Sequence, residues 1–178
     1  MLASVESRMI EPGQAAPPFT LNDASGRAVS LDILRATGPV VVFFYPRDDS
    51  PICTREACAF RDAYEDFVAA GATVVGVSSD SEDTHRRFAE RRRLPFVLLS
   101  DPDGAARKAY GVRPTLGLLA GRVTFVIDGA GIVRLAFSAQ FQSAGHVEQA
   151  LEAVRRMTAK AGVPPASLAK PARDSPKT

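Results

Sequence analysis

One continuous apolar run, residues 40–45 with the sequence VVVFFY, constrains the fold more than any other segment. It is rich in β-branched and aromatic residues, which favour a strand, and it does not alternate between polar and apolar positions. A strand of this kind is buried on both faces, so its sheet needs helices packed against both sides. The run is also far shorter than the roughly 18–20 residues that a membrane-spanning helix requires. We therefore expect an α/β domain without a membrane segment.

Strand and helix signals alternate along the rest of the chain. Residues 19–21 and 28–31 flank a turn-rich segment and predict an N-terminal β-hairpin. Further strands are predicted at 73–77, 96–99, 124–128 and 132–137, and helices at 50–70, 81–93, 105–110 and 146–160. This order predicts a central mixed β-sheet with helices on both faces.

The two ends of the chain are expected to differ from the domain between them. We expect the domain to span residues 10–161, after a disordered leader at residues 1–9. Residues 162–178 contain four prolines and almost no large apolar residues, so they cannot bury enough surface to offset the entropy of ordering. They are predicted to form a mobile tail.

Composition excludes several classes of protein. The formal net charge of +2 over 178 residues is too balanced to favour nucleic acid as a partner. Two cysteines are too few for the disulfide framework of a small secreted domain, so we expect a cytoplasmic protein. The only histidines, His85 and His146, share no metal-ligand spacing with the cysteines, so no metal site is expected.

The stretch that carries chemistry is residues 45–58, YPRDDSPICTREAC. It lies where the buried strand gives way to a helix, which is the usual place for a site in an open α/β sheet. Ser50 is a suitable N-cap, and Pro51 then takes the first helical position. Cys53 thus falls in the first turn, where free backbone N–H groups and the positive end of the helix dipole favour the thiolate. The thiolate is the nucleophilic form of cysteine.

The second cysteine, Cys58, lies on a different face of the same helix, about 140° round from Cys53. In an intact helix their Cα atoms would be roughly 8–9 Å apart, whereas a disulfide requires about 4.4–6.8 Å. The two can pair only if the first turn unwinds, which suits a catalytic cycle better than a structural disulfide. On this geometry alone, two inert cysteines remain an alternative, since free cysteine often serves as a small buried hydrophobe.

These residues resemble the peroxiredoxins, specifically the bacterioferritin-comigratory-protein or Q type. The family's peroxidatic motif, Pro-x-x-x-Thr/Ser-x-x-Cys, is matched by Pro46, Ser50 and Cys53. The Q type typically has a resolving cysteine five residues further on, which matches Cys58. The resemblance extends over about residues 10–160 and includes several motifs in the family's order.

The resemblance implies a thioredoxin-like fold and a thiol-dependent peroxidase that reduces hydrogen peroxide and organic hydroperoxides without a cofactor. Cys53 would attack the peroxide and become a sulfenic acid, and Cys58 would condense with it to form an intramolecular disulfide. Thioredoxin or a similar dithiol would reduce this disulfide. Ser50 and Arg122 would hydrogen-bond the peroxide oxygens, and Pro46 would shield the sulfur from water. The Q type also implies a monomer or a weak homodimer.

Some assignments depend on details of the match. Arg122 is assigned because residues 124–128 are taken as the family's arginine-bearing strand, and Arg113 is the weaker alternative. Ile52 stands where the Q type commonly has glycine, which predicts a stiffer loop and a more apolar pocket. The apolar segment 112–121 could shape a preference for bulkier hydroperoxides or pack against another subunit.

Two other function classes stay open at this point. A thioredoxin-like protein disulfide oxidoreductase is disfavoured by the lack of a Cys-x-x-Cys motif. A non-catalytic peroxide sensor or holdase would use oxidation of Cys53 to switch a partner surface. Turnover distinguishes the enzymes from the sensor, which is oxidised once and needs no rapid recycling.

Overall fold

The buried run of residues 40–45 forms the middle of a mixed β-sheet in the computed structural model, which describes residues 8–114, 121–139 and 142–160. The elements in chain order are β1 (Thr20–Asp23), β2 (Ala28–Ser30), α1 (Leu31–Arg35), β3 (Val40–Phe44), α2 (Pro51–Asp62), α3 (Tyr64–Ala69), β4 (Thr73–Ser78), α4 (Glu82–Arg92), β5 (Val97–Ser100), α5 (Ala105–Ala109), β6 (Val123–Ile127), β7 (Val133–Ser138) and α6 (Ser143–Lys160).

The described strands form one seven-stranded sheet in the order β2-β1-β5-β4-β3-β6-β7. Strand β3 pairs in parallel with β4 and antiparallel with β6, and β4 pairs in parallel with β5. The predicted N-terminal hairpin is present as β1 and β2, and β1 joins it to the sheet by pairing with β5. The predicted α/β class, with a central mixed sheet flanked by helices, is confirmed.

Strand β3 is buried on both faces, as its sequence predicts. All five of its residues are buried, and alternate side chains enter two separate hydrophobic cores. Val40, Val42 and Phe44 pack in the first core, whereas Val41, Phe43 and Tyr45 pack in the second. Cys53 belongs to the second core, so the helix that carries it is packed directly against this strand.

The predicted helix over residues 50–70 is divided into two helices. Helix α2 ends at Asp62 and α3 begins at Tyr64, with Ala63 between them. Ala63 has a ψ angle of 3°, and its N–H is shared between the carbonyls of Ala59 and Arg61. This tight turn uses neither glycine nor proline, so it leaves no recognisable signal in the sequence.

Two other helix boundaries differ from the prediction. Leu31, predicted to end a strand, and residues 32–35, for which no element is predicted, form the short helix α1, whose N-cap Ser30 accepts a hydrogen bond from the Ile33 N–H. Helix α6 begins at Ser143 rather than at His146. Five residues are too few for a clear periodic pattern, so α1 is hard to recognise from sequence.

The predicted leader and tail fall largely outside the described residues, which exclude 1–7 and 161–178. Met9, at the end of the predicted leader, packs against the first core. The next residue, Ile10, donates its N–H to the carbonyl of Tyr110 at 3.2 Å. The packed part of the chain therefore includes Met9.

Neither a membrane helix nor a metal cluster is found in the described parts of the chain. In residues 8–114, 121–139 and 142–160, no helix is long and apolar enough to cross a membrane. In the same ranges, no three His, Cys, Asp or Glu side chains are grouped so that they could hold a metal ion. The buried imidazole of His85 contacts the carboxylate of Asp48, and that of His146 contacts the hydroxyl of Thr124.

Candidate active site

The first turn of α2 holds Cys53 at a capped helix N-terminus. Ser50 has extended backbone angles, and its Oγ accepts a hydrogen bond from the Cys53 N–H at 3.4 Å. The Ser50 carbonyl accepts from the Thr54 N–H at 2.8 Å, which closes the first helical turn. Only 2% of Cys53 is exposed. The predicted cap is confirmed, and the sulfur lies buried beside the positive end of the helix dipole.

Arg122 reaches the sulfur from the neighbouring strand. Strands β3 and β6 are paired up to Phe44 and Val123, so Arg122 lies just beyond the end of the ladder, beside the chain that leads to α2. Its Nη2 donates to Cys53 Sγ at 3.1 Å, and only 2% of the residue is exposed. Arg113, the alternative, has an exposed side chain. The geometry thus favours Arg122.

Glu56 is a buried partner of Arg122 that the sequence analysis did not single out. It lies three residues after Cys53, and therefore near it on the surface of α2. The residue is 0% exposed, and its Oε2 accepts from Nη1 of Arg122. Cys53 and Glu56 thus bind different nitrogens of the same guanidinium, which fixes its orientation. A buried carboxylate needs such a partner. The three-residue spacing from Cys53 was the one sequence signal that could have placed Glu56 in the site.

His146 lies behind this ion pair as a neutral imidazole. The pKa of His146 is lowered to about 4, mainly by burial. The hydrogen bond to the carbonyl of Ala139 acts to raise the pKa, whereas the charge of Arg122 lowers it further. Nε2 lies 2.7 Å from that carbonyl and must donate to it, so Nδ1 accepts from the hydroxyl of Thr124 at 2.7 Å. Nδ1 is 3.5 Å from Glu56 Oε1. The counter-ion of Glu56 at neutral pH is therefore Arg122.

A second buried network supports the loop that leads from β3 to Cys53. The hydroxyl of Tyr45 donates to Asp48 Oδ1 at 2.6 Å, and Asp48 Oδ2 lies 2.7 Å from Nδ1 of His85. The other ring nitrogen of His85 lies 3.2 Å from the carbonyl of Leu99. Burial, with the neighbouring Asp48 charge, raises the pKa of Tyr45 well above its usual value, so the phenol keeps its proton. These contacts fix the loop formed by residues 46–50.

The same loop makes its turn at Asp49, which has a φ of 58° in the left-handed region. Aspartate tolerates this conformation better than most residues, and its carboxylate is bound by Arg91. The N–H of Asp48 donates to Asp80 Oδ2 at 2.8 Å. The turn therefore reverses the chain at a defined place and sets the position of Ser50.

Two further predicted site residues, Pro46 and Cys58, are only half-buried. Pro46 follows Tyr45 directly at the end of β3 and is half-buried. Cys58 is half-buried on α2, and both cysteines are free thiols. Because α2 is continuous from Pro51 to Asp62, the two cysteines cannot pair without unwinding it.

The arrangement has a definite chemical capacity. A thiolate at Cys53 is stabilised by the helix N-terminus and by the guanidinium of Arg122. The same guanidinium can stabilise negative charge that develops on an oxygen leaving close to the sulfur. The site therefore suits nucleophilic attack on a small, polar electrophile.

Comparisons with known proteins agree with this arrangement. Residues 12–136 match the AhpC/TSA family. The chloroplastic peroxiredoxin Q of Sedum lineare is 48% identical over 149 residues, which cover 83% of this chain and 80% of the relative. The crystal structure of peroxidoxin BcpB from Mycobacterium tuberculosis has a TM-score of 0.78 and 39% identity, covering 83% of this chain and 98% of that one. The structure of the Xanthomonas campestris bacterioferritin comigratory protein has a TM-score of 0.71 and 30% identity. The match covers 79% of this chain and 92% of that one.

The prediction of a cytoplasmic protein is contradicted by these relatives. The curated peroxiredoxin Q proteins of Sedum lineare, Populus jackii and Suaeda salsa are all described as chloroplastic. The prediction was based on the small number of cysteines, which argues against a disulfide-stabilised secreted fold. It does not distinguish one reducing compartment from another.

The similarity to the solved structures confirms the predicted thioredoxin-like fold. The family match covers most of the described domain. It includes the whole of α2, which carries Cys53 and Glu56, and it includes Arg122, which directly precedes β6. The chain therefore belongs to the AhpC/TSA family, as a peroxiredoxin of the bacterioferritin-comigratory-protein or Q type.

Proposed function

We propose that the protein is a thiol-dependent peroxidase that reduces hydrogen peroxide and organic hydroperoxides. The observation that carries the proposal is the 3.1 Å contact between Nη2 of the buried Arg122 and Sγ of the buried Cys53 at a helix N-terminus. Such a thiolate is a nucleophile, and the arginine can stabilise the charge that forms on the leaving oxygen. The Xanthomonas campestris relative is described as having alkyl peroxide reduction activity, which supports organic hydroperoxides as substrates.

In the first step, the thiolate of Cys53 attacks one peroxide oxygen. An S–O bond forms, the O–O bond breaks, and the departing oxygen takes up a proton to leave as water or an alcohol. Ser50 and Arg122 hydrogen-bond the two oxygens during this transfer, and Pro46 limits the access of water. Sulfur is oxidised to a sulfenic acid and the peroxide is reduced by the same two electrons. No cofactor is required, because the O–O bond is itself the electrophile.

In the second step, the thiol of Cys58 condenses with the sulfenic acid. An S–S bond forms, the S–O bond breaks, and one water molecule leaves. This step requires unwinding of the first turn of α2, which breaks the bonds of the Cys53 and Thr54 N–H groups to Ser50. The neutral sulfenic acid no longer offers Arg122 a full negative charge, so oxidation also weakens the contact that holds Cys53 in the pocket.

The disulfide is then reduced by thioredoxin or a similar dithiol protein, which regenerates both thiols by exchange. Cys58 is half-buried whereas Cys53 is 2% exposed, so Cys58 is the more accessible sulfur for an attacking protein thiol. Both cysteines belong to one helix, so the cycle is complete within one chain. The protein is accordingly proposed to act as a monomer or a weak homodimer.

The burial of Cys53 also argues against the alternative enzyme class, a thioredoxin-like protein disulfide oxidoreductase. A protein disulfide must bring a large surface up to the attacking sulfur, but only 2% of Cys53 is exposed. A peroxide is a far smaller reactant and needs no such surface. The sensor alternative predicts a single oxidation of Cys53 without rapid recycling, and it is tested by turnover.

Peroxide consumption by cysteine variants tests the proposal, with thioredoxin, its reductase and NADPH supplied. We expect Cys53→Ser to abolish consumption, because the nucleophile is removed. Cys58→Ser should keep the first oxidation but accumulate over-oxidised Cys53 or mixed disulfides, because nothing within the chain resolves the sulfenic acid. Consumption by Cys53→Ser at the wild-type rate would show that the assignment of the nucleophile is wrong.

A further inference from the structure

Arg107, on the short helix α5, donates to two backbone carbonyls that adjoin site residues. Its Nη2 lies 2.6 Å from the carbonyl oxygen of Tyr45, and its Nη1 lies 2.7 Å from that of Gly121. Tyr45 directly precedes Pro46, and Gly121 directly precedes Arg122. One guanidinium therefore joins the two chain segments that bring these side chains to the pocket.

These two segments lie beyond the paired residues of β3 and β6, although the Tyr45 N–H still donates to the carbonyl of Val77 in β4 at 3.1 Å. The register of β3 with β6 ends at the pair Phe44 and Val123. Beyond this pair, one chain leads from β3 to α2, and the other enters β6 from Gly121 and Arg122. The fork of Arg107 supplies a link between them at this point, since its donors are held in a fixed planar geometry.

Arg107 is itself held in place from two sides. Asp101 accepts the N–H groups of Ala106 and Arg107, at 3.2 and 2.9 Å, and so fixes the start of α5. The guanidinium also lies over the ring of Phe44, 5.8 Å from its centroid. Burial lowers the pKa of Arg107, while the charges of Asp101 and Cys53 oppose this effect.

We propose that Arg107 is a positioning residue of the peroxidase reaction, whose paired hydrogen bonds hold Pro46 and Arg122 in register around Cys53. The proposal rests on the peroxidase function and deepens it. Arg107 acts through the backbone rather than on the substrate. Its loss should therefore impair the alignment of peroxide more than the accessibility of the thiol.

The test compares Arg107→Gln and Arg107→Lys with the wild-type protein. Lysine keeps the positive charge but cannot bind both carbonyls with a rigid fork, so it separates charge from geometry. Arg35→Gln is the matched control, because Arg35 Nη1 also donates to a backbone carbonyl, that of Gly129 at 2.8 Å, at the opposite end of β6. Two rate constants are measured for each reduced protein: oxidation of Cys53 by hydrogen peroxide, and its alkylation by iodoacetamide.

We expect both Arg107 variants to react with peroxide at least about tenfold more slowly, since small displacements of aligned groups have effects of this size. Alkylation should change by less than about twofold, and Arg35→Gln should leave both rates near wild type. The proposal is overturned if either Arg107 variant reacts with peroxide as fast as wild type, or if peroxide oxidation and alkylation fall together. Thermal unfolding identifies folded variants, and Arg107→Lys carries the test alone if the glutamine variant does not fold.

The two proposals fail in different ways. If the wild-type protein consumes no peroxide, the peroxidase function is wrong and the role of Arg107 is rejected with it. If the wild-type protein is active and Arg107→Gln is equally active, only the role of Arg107 is rejected.

Discussion

Ser50 has two roles in the proposed cycle, and removing its hydroxyl should change the two chemical steps in opposite directions. In Ser50→Ala, the Cys53 N–H loses its hydrogen-bond acceptor, the Ser50 Oγ, which lies 3.4 Å away. The hydroxyl proposed to hydrogen-bond the peroxide is lost as well. The first oxidation should therefore become slower, whereas the unwinding that permits disulfide formation should become easier.

The sizes of both effects follow from the contacts that are lost. Replacing a serine N-cap with alanine costs about 1 kcal/mol, which corresponds to an about fivefold higher population of the unwound first turn. Formation of the Cys53–Cys58 disulfide should accelerate by about the same factor. Loss of one donor to the reacting oxygens should slow the first oxidation by about a hundredfold. The melting temperature should fall by roughly 2–4 °C.

Rapid mixing of the reduced protein with hydrogen peroxide, followed by acid quenching and mass measurement, separates the two steps. The sulfenic acid adds one oxygen, the disulfide removes two hydrogens, and over-oxidation adds a second oxygen. Because disulfide formation competes with a second peroxide, Ser50→Ala should also be over-oxidised less at a given peroxide concentration. Both consequences can be read from one time course.

Ser81→Ala is the matched control for this experiment. Ser81 caps α4 in the same way, accepting from the Thr84 N–H at 3.3 Å. Its replacement should lower the melting temperature by a similar amount and leave both chemical steps unchanged. The reasoning is refuted if Ser50→Ala slows disulfide formation, or if Ser81→Ala changes either rate as Ser50→Ala does.

Three further predictions concern the groups around Arg122. Glu56→Gln should destabilise the protein by about 3 kcal/mol or more, because it leaves the buried Arg122 charge without its carboxylate partner; urea unfolding at wild-type stability would contradict this. Since His146 has a folded-state pKa of about 4, below its usual 6.5, the unfolded state takes up its proton first as the pH falls. Wild-type stability should therefore decrease between pH 6.5 and 4, by up to roughly 3 kcal/mol from this group, and His146→Gln should flatten that slope in unfolding experiments. Gly121→Ala should slow peroxide reduction, because a Cβ at this position would clash with the carbonyl of Arg113 and displace the neighbouring Arg122; activity equal to wild type would exclude that displacement.

The parts of the site that could be predicted from the sequence are those with local signals. The buried strand, the Ser50 cap and the position of Cys53 in the first turn depend on residues within a short segment, and all three are present. The family resemblance added Arg122, whose place is defined by pairing between strands that are distant in sequence. The structure shows that it contacts Cys53 Sγ.

The supporting residues could not be predicted in the same way, because their partners are remote in the chain. Glu56 and Arg122 are 66 positions apart, and Tyr45 and Arg107 are 62 apart. Neither pair has a sequence spacing that indicates contact, and the topology of the sheet brings each pair together. His146 was interpreted only as a failed metal ligand, although it lies next to the ion pair that orients the guanidinium.

The most direct test of the proposed cycle is the intact mass of the reduced protein after one equivalent of hydrogen peroxide, measured again after adding thioredoxin and its reductase with NADPH. The cycle predicts the rapid loss of two hydrogens, as Cys53 and Cys58 join, and their return on reduction. Slow oxidation, or a stable gain of oxygen without a disulfide, would contradict it.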